Sequence, residues 1–214
     1  MILCADWGKE SYKRTVYVAD VSARIVRRVD GGEWSVGSVL DEARRRASRG
    51  PVLATLDAPL AVPESYLAAA ARIPSWRAVD AATKAKTLFA KAGIPGSVGS
   101  ATCALWRELG PRLTVDRSFK LWPFEGDLGD LPQSTPVVVG EIYPRAAYAT
   151  ALSDASAESR APLMVSKTRA DVRRDAITTL LGKDWVRRLD VSIRNLADVR
   201  SNEDDFDALS SLPR

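Results

Sequence analysis

Acidic residues that end apolar stretches are the residues of this chain best placed to do chemistry. Asp6 ends the opening run MILCAD, Asp57 ends VLATLD, and Glu141 ends VVVGE. Carboxylates that gather at one place repel one another, which raises the pKa of at least one of them unless a cation is present. Oxygen ligands of this kind favour hard divalent cations, so the pattern predicts a site for Mg²⁺ or Mn²⁺.

The chain contains no histidine, which narrows the chemistry that these acids could serve. Ser-His-Asp and Cys-His catalysis and histidine-based zinc sites are excluded. The two cysteines, Cys4 and Cys103, cannot build a zinc site alone. Hydrolytic chemistry would therefore depend on carboxylates, lysines, hydroxyls or a metal ion held by oxygen ligands.

The segment NEDDFDALSS adds further candidate ligands near the end of the sequence. Asp204 and Asp207 are three residues apart, so both can face one side of a helix. Asp207 precedes an apolar pair and is expected at a core-facing edge, whereas Asp205 is expected to face solvent. We take Asp204 and Asp207 as candidate metal ligands, and their spacing leaves open which of the two contributes.

Structural roles are the alternative explanation for three of these acids. Asp57 precedes Ala58-Pro59 and could close a turn by bonding its own backbone. Glu141 could cap the helix that follows it, and Asp204 could complete a capping box that begins at Ser201. Asp6 has little structural reason to lie in an apolar opening strand, so a functional role is favoured there.

The elements that would position these acids form a mixed α/β sheet. An apolar opening run and two segments rich in β-branched residues predict an antiparallel meander, and a helix capped by Ser38 then leads into a fourth strand. The strand–helix–strand order implies a right-handed crossover that places this strand parallel to the first. Ligands bind beyond the carboxyl ends of such strands, which lie about 4.8 Å apart. The five predicted strands are residues 1–7, 15–21, 23–29, 52–57 and 137–142.

The rest of the chain is predicted to be helical or irregular within one domain that spans residues 1–214. Residues 64–135 are expected to form an insertion around the core, with helices over 78–92 and 101–109. Pro144 is expected to open a helix at its first turn. Thr168 and Asp171 predict a capping box for a helix that ends near Gly182.

The charge and composition of the chain limit the classes of partner that it can have. The formal net charge is +4 and the pI is about 9.2, which permits a polyanionic partner such as nucleic acid without requiring one. A run of about 18 apolar residues, the length needed to span a membrane, does not occur. Two scattered cysteines suggest no disulfide framework, so a reducing cytoplasm is the expected location.

Several motifs together resemble one family. They are D-W-G after the first strand, L-D-A-P-L-A-V-P after the fourth, G-E-I-Y-P-R-A-A-Y, and the closing D-D-F-D-A-L. As a set they resemble the domain-of-unknown-function family numbered 429, which is placed among predicted RNase H-like nucleases. The resemblance extends from Met1 to about Leu209.

This resemblance implies an RNase H-like α/β fold, with a mixed five-stranded sheet flanked by helices. The ending D-x-x-D-A-L also looks like that of the Holliday-junction resolvase branch of the fold. By that analogy Asp6, Asp57, Asp204 and Asp207 are the positions of catalytic, metal-binding acids. Glu141 belongs to the pattern of the closer family and is an additional candidate.

The leading hypothesis is therefore a nuclease that hydrolyses phosphodiester bonds with two metal ions about 3.5–4 Å apart. Asp6 would bridge both ions, while Asp57 and Asp204 or Asp207 would hold one each. Lys9 is a candidate to contact a substrate phosphate, with an exposed turn residue as the alternative.

Two other hypotheses stay open. One is a non-catalytic protein of the same fold that binds nucleic acid or another partner. The other is a nucleotide-dependent phosphotransferase or ATPase of a duplicated relative of this fold. The length of 214 residues and the lack of a G-x-x-x-x-G-K-[ST] loop argue against the second.

Overall fold

A mixed β-sheet of seven strands organises the part of the chain that the computed structural model describes, which is residues 1–8, 10–60, 98–152 and 165–212. Helices flank the sheet, which confirms the predicted α/β class with a mixed sheet. The number of strands is seven rather than the predicted five. The strands are β1 (Ile2–Asp6), β2 (Thr15–Asp20), β3 (Ile25–Arg28), β4 (Val52–Leu56), β5 (Phe119–Leu121), β6 (Val137–Glu141) and β7 (Ser192–Ile193).

The directions of the five predicted strands are those expected from their connections. β2 is antiparallel to β1 and to β3, which makes the meander. β4 is parallel to β1, and β6 is parallel to β4, as crossovers through intervening helices require. The order across the sheet is β5-β6-β4-β1-β2-β3-β7. The carboxyl ends of β1, β4 and β6 therefore lie at one edge.

The two additional strands are short. β5 pairs in parallel with β6 at one border of the sheet, and β7 pairs in parallel with β3 at the other. Two or three residues are too few to show the alternation of side chains that marks a strand in a sequence. β5 lies within the segment 64–135 that we predict as an insertion, so this part of the segment extends the sheet.

Eight α-helices lie within the described residues, and none of them is long and apolar enough to cross a bilayer. The helix predicted over 101–109 lies inside α2, whereas the one predicted over 78–92 falls outside the described residues. The helices are α1 (Val36–Ala47), α2 (Val98–Val115), α3 (Leu131–Ser134), α4 (Pro144–Leu152), α5 (Ala170–Gly182), α6 (Asp184–Leu189), α7 (Leu196–Ser201) and α8 (Glu203–Ser210).

The predicted caps are displaced by a few residues. α1 is capped by Ser35, and the predicted cap Ser38 instead completes the capping box from inside the helix. α8 is capped by Asn202 rather than Ser201, because the carbonyl of the Asn side chain accepts from two backbone N–H groups. α5 begins without a side-chain cap, so the predicted role of Thr168 is wrong.

The two faces of the sheet bury different clusters. On one face, named here the α1 face, Leu3 and Ala5 pack with apolar residues of α1 and α2. On the other, named the α8 face, Tyr17 packs with residues of α4, α5, α7 and α8. Successive residues of a strand point to opposite faces. Cys4 and Asp6 therefore belong to the α8 face.

Candidate metal centre

Three carboxylates meet where β1, β4 and α8 come together. One oxygen each from Asp6, Asp57 and Asp207 lies within 4.8 Å of the other two. Asp6 is the last residue of β1, Asp57 directly follows β4, and Asp207 lies in α8. The structure thus brings together three of the acids that we predict as ligands.

The sheet fixes the first two acids beside each other. The backbone N–H of Asp57 donates to the carbonyl of Ala5 at 2.9 Å, which continues the parallel ladder one residue beyond β4. This pairing places Asp57 next to Asp6 at the edge where parallel strands end. Leu56 points into the core of the α1 face, so the alternation of side chains directs Asp57 to the α8 face.

Packing of α8 brings the third acid over this edge. Phe206 and Leu209 are buried against the sheet and α4, and the ring of Phe206 lies 5.7 Å from that of Tyr148. Asp207 lies between these two apolar residues in the sequence, and only 1% of its surface is exposed. The apolar contacts of α8 therefore hold a carboxylate inside the protein.

Among the described residues, the positive side chain that pairs with these acids is Lys167. The ammonium of Lys167, in the loop before α5, forms an ion pair with Asp207 Oδ2. The carbonyl of Lys167 accepts from the guanidinium of the buried Arg173. Arg173 also donates to the carbonyl of Ser201 at 2.7 Å, which ties this loop to the end of α7. The lysine is therefore anchored through its backbone.

The pKa values of the acids reflect their crowding. Burial, followed by the charges of Asp57 and Asp207, raises the pKa of Asp6 well above its ordinary value. Burial and then the charge of Asp207 raise the pKa of Asp57 to about 7. Burial also raises the pKa of Asp207, although Lys167 opposes this. One lysine thus does not offset the repulsion among the three acids.

The donor set fits a hard divalent cation. Asp207 Oδ1 is buried and has no hydrogen-bond partner among the described residues. Leaving a buried carboxylate oxygen unpaired costs free energy, and a cation that prefers oxygen ligands would satisfy it. All three converging donors are carboxylate oxygens, which suits Mg²⁺ or Mn²⁺ better than softer metals.

Asp204 lies beside the cluster and is not one of its three converging acids. It occupies the first turn of α8, where its backbone N–H donates to the Asn202 side chain at 2.7 Å. Burial and the charge of Glu203 raise its pKa, whereas Lys167 and Lys13 oppose the rise. Asp204 is half-buried and close enough to act electrostatically on Asp6. It therefore lies at the rim of the site.

Glu141 is likewise not one of the converging acids. It ends β6 beside Leu56, and its carboxylate accepts from the backbone N–H of Leu60 at 3.2 Å. Its charge contributes to the raised pKa of Asp57, so it lies near the site. The structure thus gives Glu141 a bond to the chain that follows β4.

One further acid contradicts its prediction, one predicted residue is not described, and one lysine of the site was not predicted. Asp205 is 1% exposed and lies 3.4 Å from the guanidinium of Arg28, so the prediction that it faces solvent is wrong. α8 is short and covered around most of its circumference, which leaves little of it polar and exposed. Lys9 lies outside the described residues. Lys167 carries no signal in the sequence, because a lysine in a loop is usually a solvated side chain.

No protein-family model, no curated protein and no solved structure matches this chain. The geometry and electrostatics of the site must therefore carry the functional assignment.

Proposed function

We propose that this protein is a divalent-metal-dependent nuclease with an RNase H-like fold. The observation that carries the proposal is the convergence of Asp6, Asp57 and Asp207 at the carboxyl edge of the parallel strands. The meander that continues into parallel strands supports the fold that the motif resemblance implies. The acids stand on the first strand, after the fourth and on α8, which are the positions implied by the same resemblance.

The residues of the chain supply positioning and charge. A divalent ion at the site would activate a water molecule and stabilise the charge that develops on a phosphate. Backbone hydrogen bonds of the sheet fix Asp6 and Asp57, and packing of α8 fixes Asp207, so the ligands need little reorganisation. The Lys167 side chain is partly exposed, and its ammonium would offer a positive charge to a phosphate oxygen.

The rim of the site offers groups that suit nucleic acid. Tyr12 is 66% exposed, and the ammonium of Lys13 lies 5.5 Å from the centre of its ring. Lys13 is close enough to Asp204 to affect the pKa of that acid, which places this pair beside the cluster. An exposed ring next to a cation can stack on a base while the cation contacts the backbone phosphate. We therefore propose nucleic acid as the substrate.

The experiment is a cleavage assay on a panel of DNA, RNA and branched substrates with Mn²⁺ or Mg²⁺. The wild-type protein is expected to cut at least one of them, and chelation of the metal or Asp6→Asn should abolish cleavage. Asp41→Asn is the matched control, because it removes the same charge from an exposed position in α1. It is expected to cleave like the wild type.

A trace of activity that survives Asp6→Asn would indicate a contaminating nuclease. If no substrate on the panel is cut, the nuclease proposal fails. Metal-independent binding of the same substrates by the wild type and by Asp6→Asn would then support a binding protein without turnover.

A further inference from the structure

The Lys167 ammonium lies where a cation is expected. It forms an ion pair with Asp207 Oδ2, and its charge lowers the pKa of both Asp6 and Asp57. Burial alone would lower the pKa of Lys167, yet the facing carboxylates, that of Asp207 first, outweigh this and raise it. The ammonium thus interacts with the whole acidic cluster rather than with one partner.

The backbone of Lys167 is held in place. Arg173 is buried in α5 and donates to the carbonyl of Lys167, and it also donates to the carbonyls of Arg200 and Ser201. These bonds fix the loop against the end of α7, next to α8. The Lys167 side chain remains 42% exposed. A fixed charge on a partly exposed side chain suits contact with an incoming phosphate.

We propose that Lys167 occupies the position of the second cation, so that this protein binds one divalent ion rather than two. The proposal rests on the proposed metal site and specifies its stoichiometry. It replaces the pair of ions that the sequence resemblance implies with one ion and one ammonium.

The charges favour this arrangement. Asp6, Asp57 and Asp207 carry three negative charges when ionised, and Lys167 leaves two, which a single divalent ion balances. A second divalent ion would exceed the negative charge of these three acids, so it would depend on Asp204 at the rim and on the nearby Glu141, and it would lie beside the ammonium of Lys167. Like charges at such short range repel strongly in a partly buried site.

The carboxylate oxygens that can bind a metal also favour one ion together with the Lys167 ammonium. Lys167 engages Asp207 Oδ2, so this acid offers only Oδ1 to a metal ion, and Oδ1 is the atom without a partner. Asp6 and Asp57 each have an oxygen within 4.8 Å of the other two acids of the cluster. Together with Asp207 Oδ1 they supply carboxylate oxygens for one ion that keeps several waters, as Mg²⁺ does in proteins.

The experiment measures how many Mn²⁺ ions bind per chain, by calorimetry and by electron paramagnetic resonance, without substrate. The variants are Lys167→Met, which keeps length but removes charge, Lys167→Arg, which keeps charge, and Lys120→Met, a control on the edge strand β5. Melting curves establish that each variant is folded. The wild type, Lys167→Arg and Lys120→Met should bind one ion, and Lys167→Met should bind two with magnetic coupling between them.

The outcomes separate this inference from the proposed function. If the wild type binds no Mn²⁺, the metal site itself fails. Two ions in the wild type, or one ion of unchanged affinity in folded Lys167→Met, would overturn the role of Lys167 while leaving the metal site intact. If Lys167→Met does not fold, the number of ions bound by the wild type and by Lys167→Arg still tests the proposal. One ion in each supports it, and two ions in either would overturn it.

Discussion

The two faces of the sheet differ in the kinds of side chain that they bury. The α1 face is filled by apolar side chains such as Leu3, Leu40 and Leu105, and its buried atom Trp7 Nε1 has no hydrogen-bond partner within the described part of the chain. The α8 face combines a smaller apolar cluster with the buried or half-buried carboxylates of the candidate metal site. Proteins commonly give up stability where function requires strained or charged groups. We therefore expect the α1 face to stabilise the fold and the α8 face to provide the proposed metal site.

The largest expected effect on stability comes from the α1 face. Leu40→Ala removes a fully buried side chain of α1 and should lower the free energy of unfolding by about 2–5 kcal/mol. Mn²⁺ affinity of the folded protein should not change, because Leu40 lies across the sheet from the site. Urea denaturation and Mn²⁺ titration measure the two quantities. Leu189→Ala, at an exposed position, is the control and should change stability by less than about 0.5 kcal/mol.

Removing an acid of the candidate metal site should weaken Mn²⁺ binding and stabilise the metal-free protein. Leu40→Ala, in contrast, should lower stability and leave Mn²⁺ binding unchanged. Asp6→Asn should reduce Mn²⁺ affinity by at least about 100-fold, the upper range found for residues that only support a metal ligand. It should also stabilise the metal-free protein, because burial and the charges of Asp57 and Asp207 make the ionised form of Asp6 unfavourable in the folded state. Denaturation in the presence of a chelator measures this. A loss of stability would contradict the account of the α8 face.

The acids of the α8 face should also make the stability of the metal-free protein depend on pH. The pKa of Asp57 is about 7 in the folded protein, well above its value in the unfolded chain. The unfolded chain loses this proton first as pH rises, so the stability of the metal-free protein should fall from about pH 4 to about pH 7 and then level off. Asp57→Asn should reduce this fall, to which the raised pKa values of Asp6 and Asp207 also contribute, and the difference between the two curves of stability against pH gives the contribution of Asp57.

Metal affinity should show the reverse trend with pH. Protons compete with the ion for the carboxylates, so Mn²⁺ affinity should rise with pH through the pKa of Asp57, which is about 7. Calorimetric titration at several pH values measures this. An affinity that does not change across that interval would show that the titrating acids are not the ligands.

The smallest of these effects is expected at the rim. Tyr12→Ala should weaken binding of single-stranded nucleic acid by about 1–3 kcal/mol, the usual contribution of one stacked base. Tyr12→Phe keeps the ring, loses only the hydroxyl that bonds Glu10, and should bind like the wild type. Fluorescence anisotropy with a chelator present measures affinity without cleavage. Equal affinities for all three proteins would remove Tyr12 from the substrate path.

Much of the sheet could be predicted because its strands are long enough to show a pattern. The segments around Ile2–Asp6 and Val52–Leu56 are continuous apolar runs, which is typical of buried parallel strands. The direction of β4 followed from the handedness of crossovers. β5 and β7 pair through so few residues that only the neighbouring strand defines them.

The strand-end acids were easier to predict than the contribution of the helix. Asp6 and Asp57 come together because adjacent parallel strands end at the same edge, a rule that needs only the order of strands. Asp204, Asp205 and Asp207 all lie in α8, and the choice among them depends on how this helix is rotated against β1 and β2. That rotation is set by packing of Phe206 and Leu209, which spacing alone does not reveal.

Lys167 shows the limit of sequence patterns more clearly. It reaches the acids from a loop, and its position depends on the bond from Arg173 and on the end of α7. These contacts join residues far apart in the sequence without any periodicity to mark them. Tertiary contacts of this kind can be found only once the fold is known.

The most direct test of the central claim is to locate the ion. Crystals of the wild-type protein would be soaked in Mn²⁺, and the anomalous difference map would be calculated at the manganese edge. The account predicts one peak in contact with carboxylate oxygens of Asp6, Asp57 and Asp207, which should disappear in Asp6→Asn. A map without a peak at these three acids, or with manganese bound only elsewhere, would contradict it.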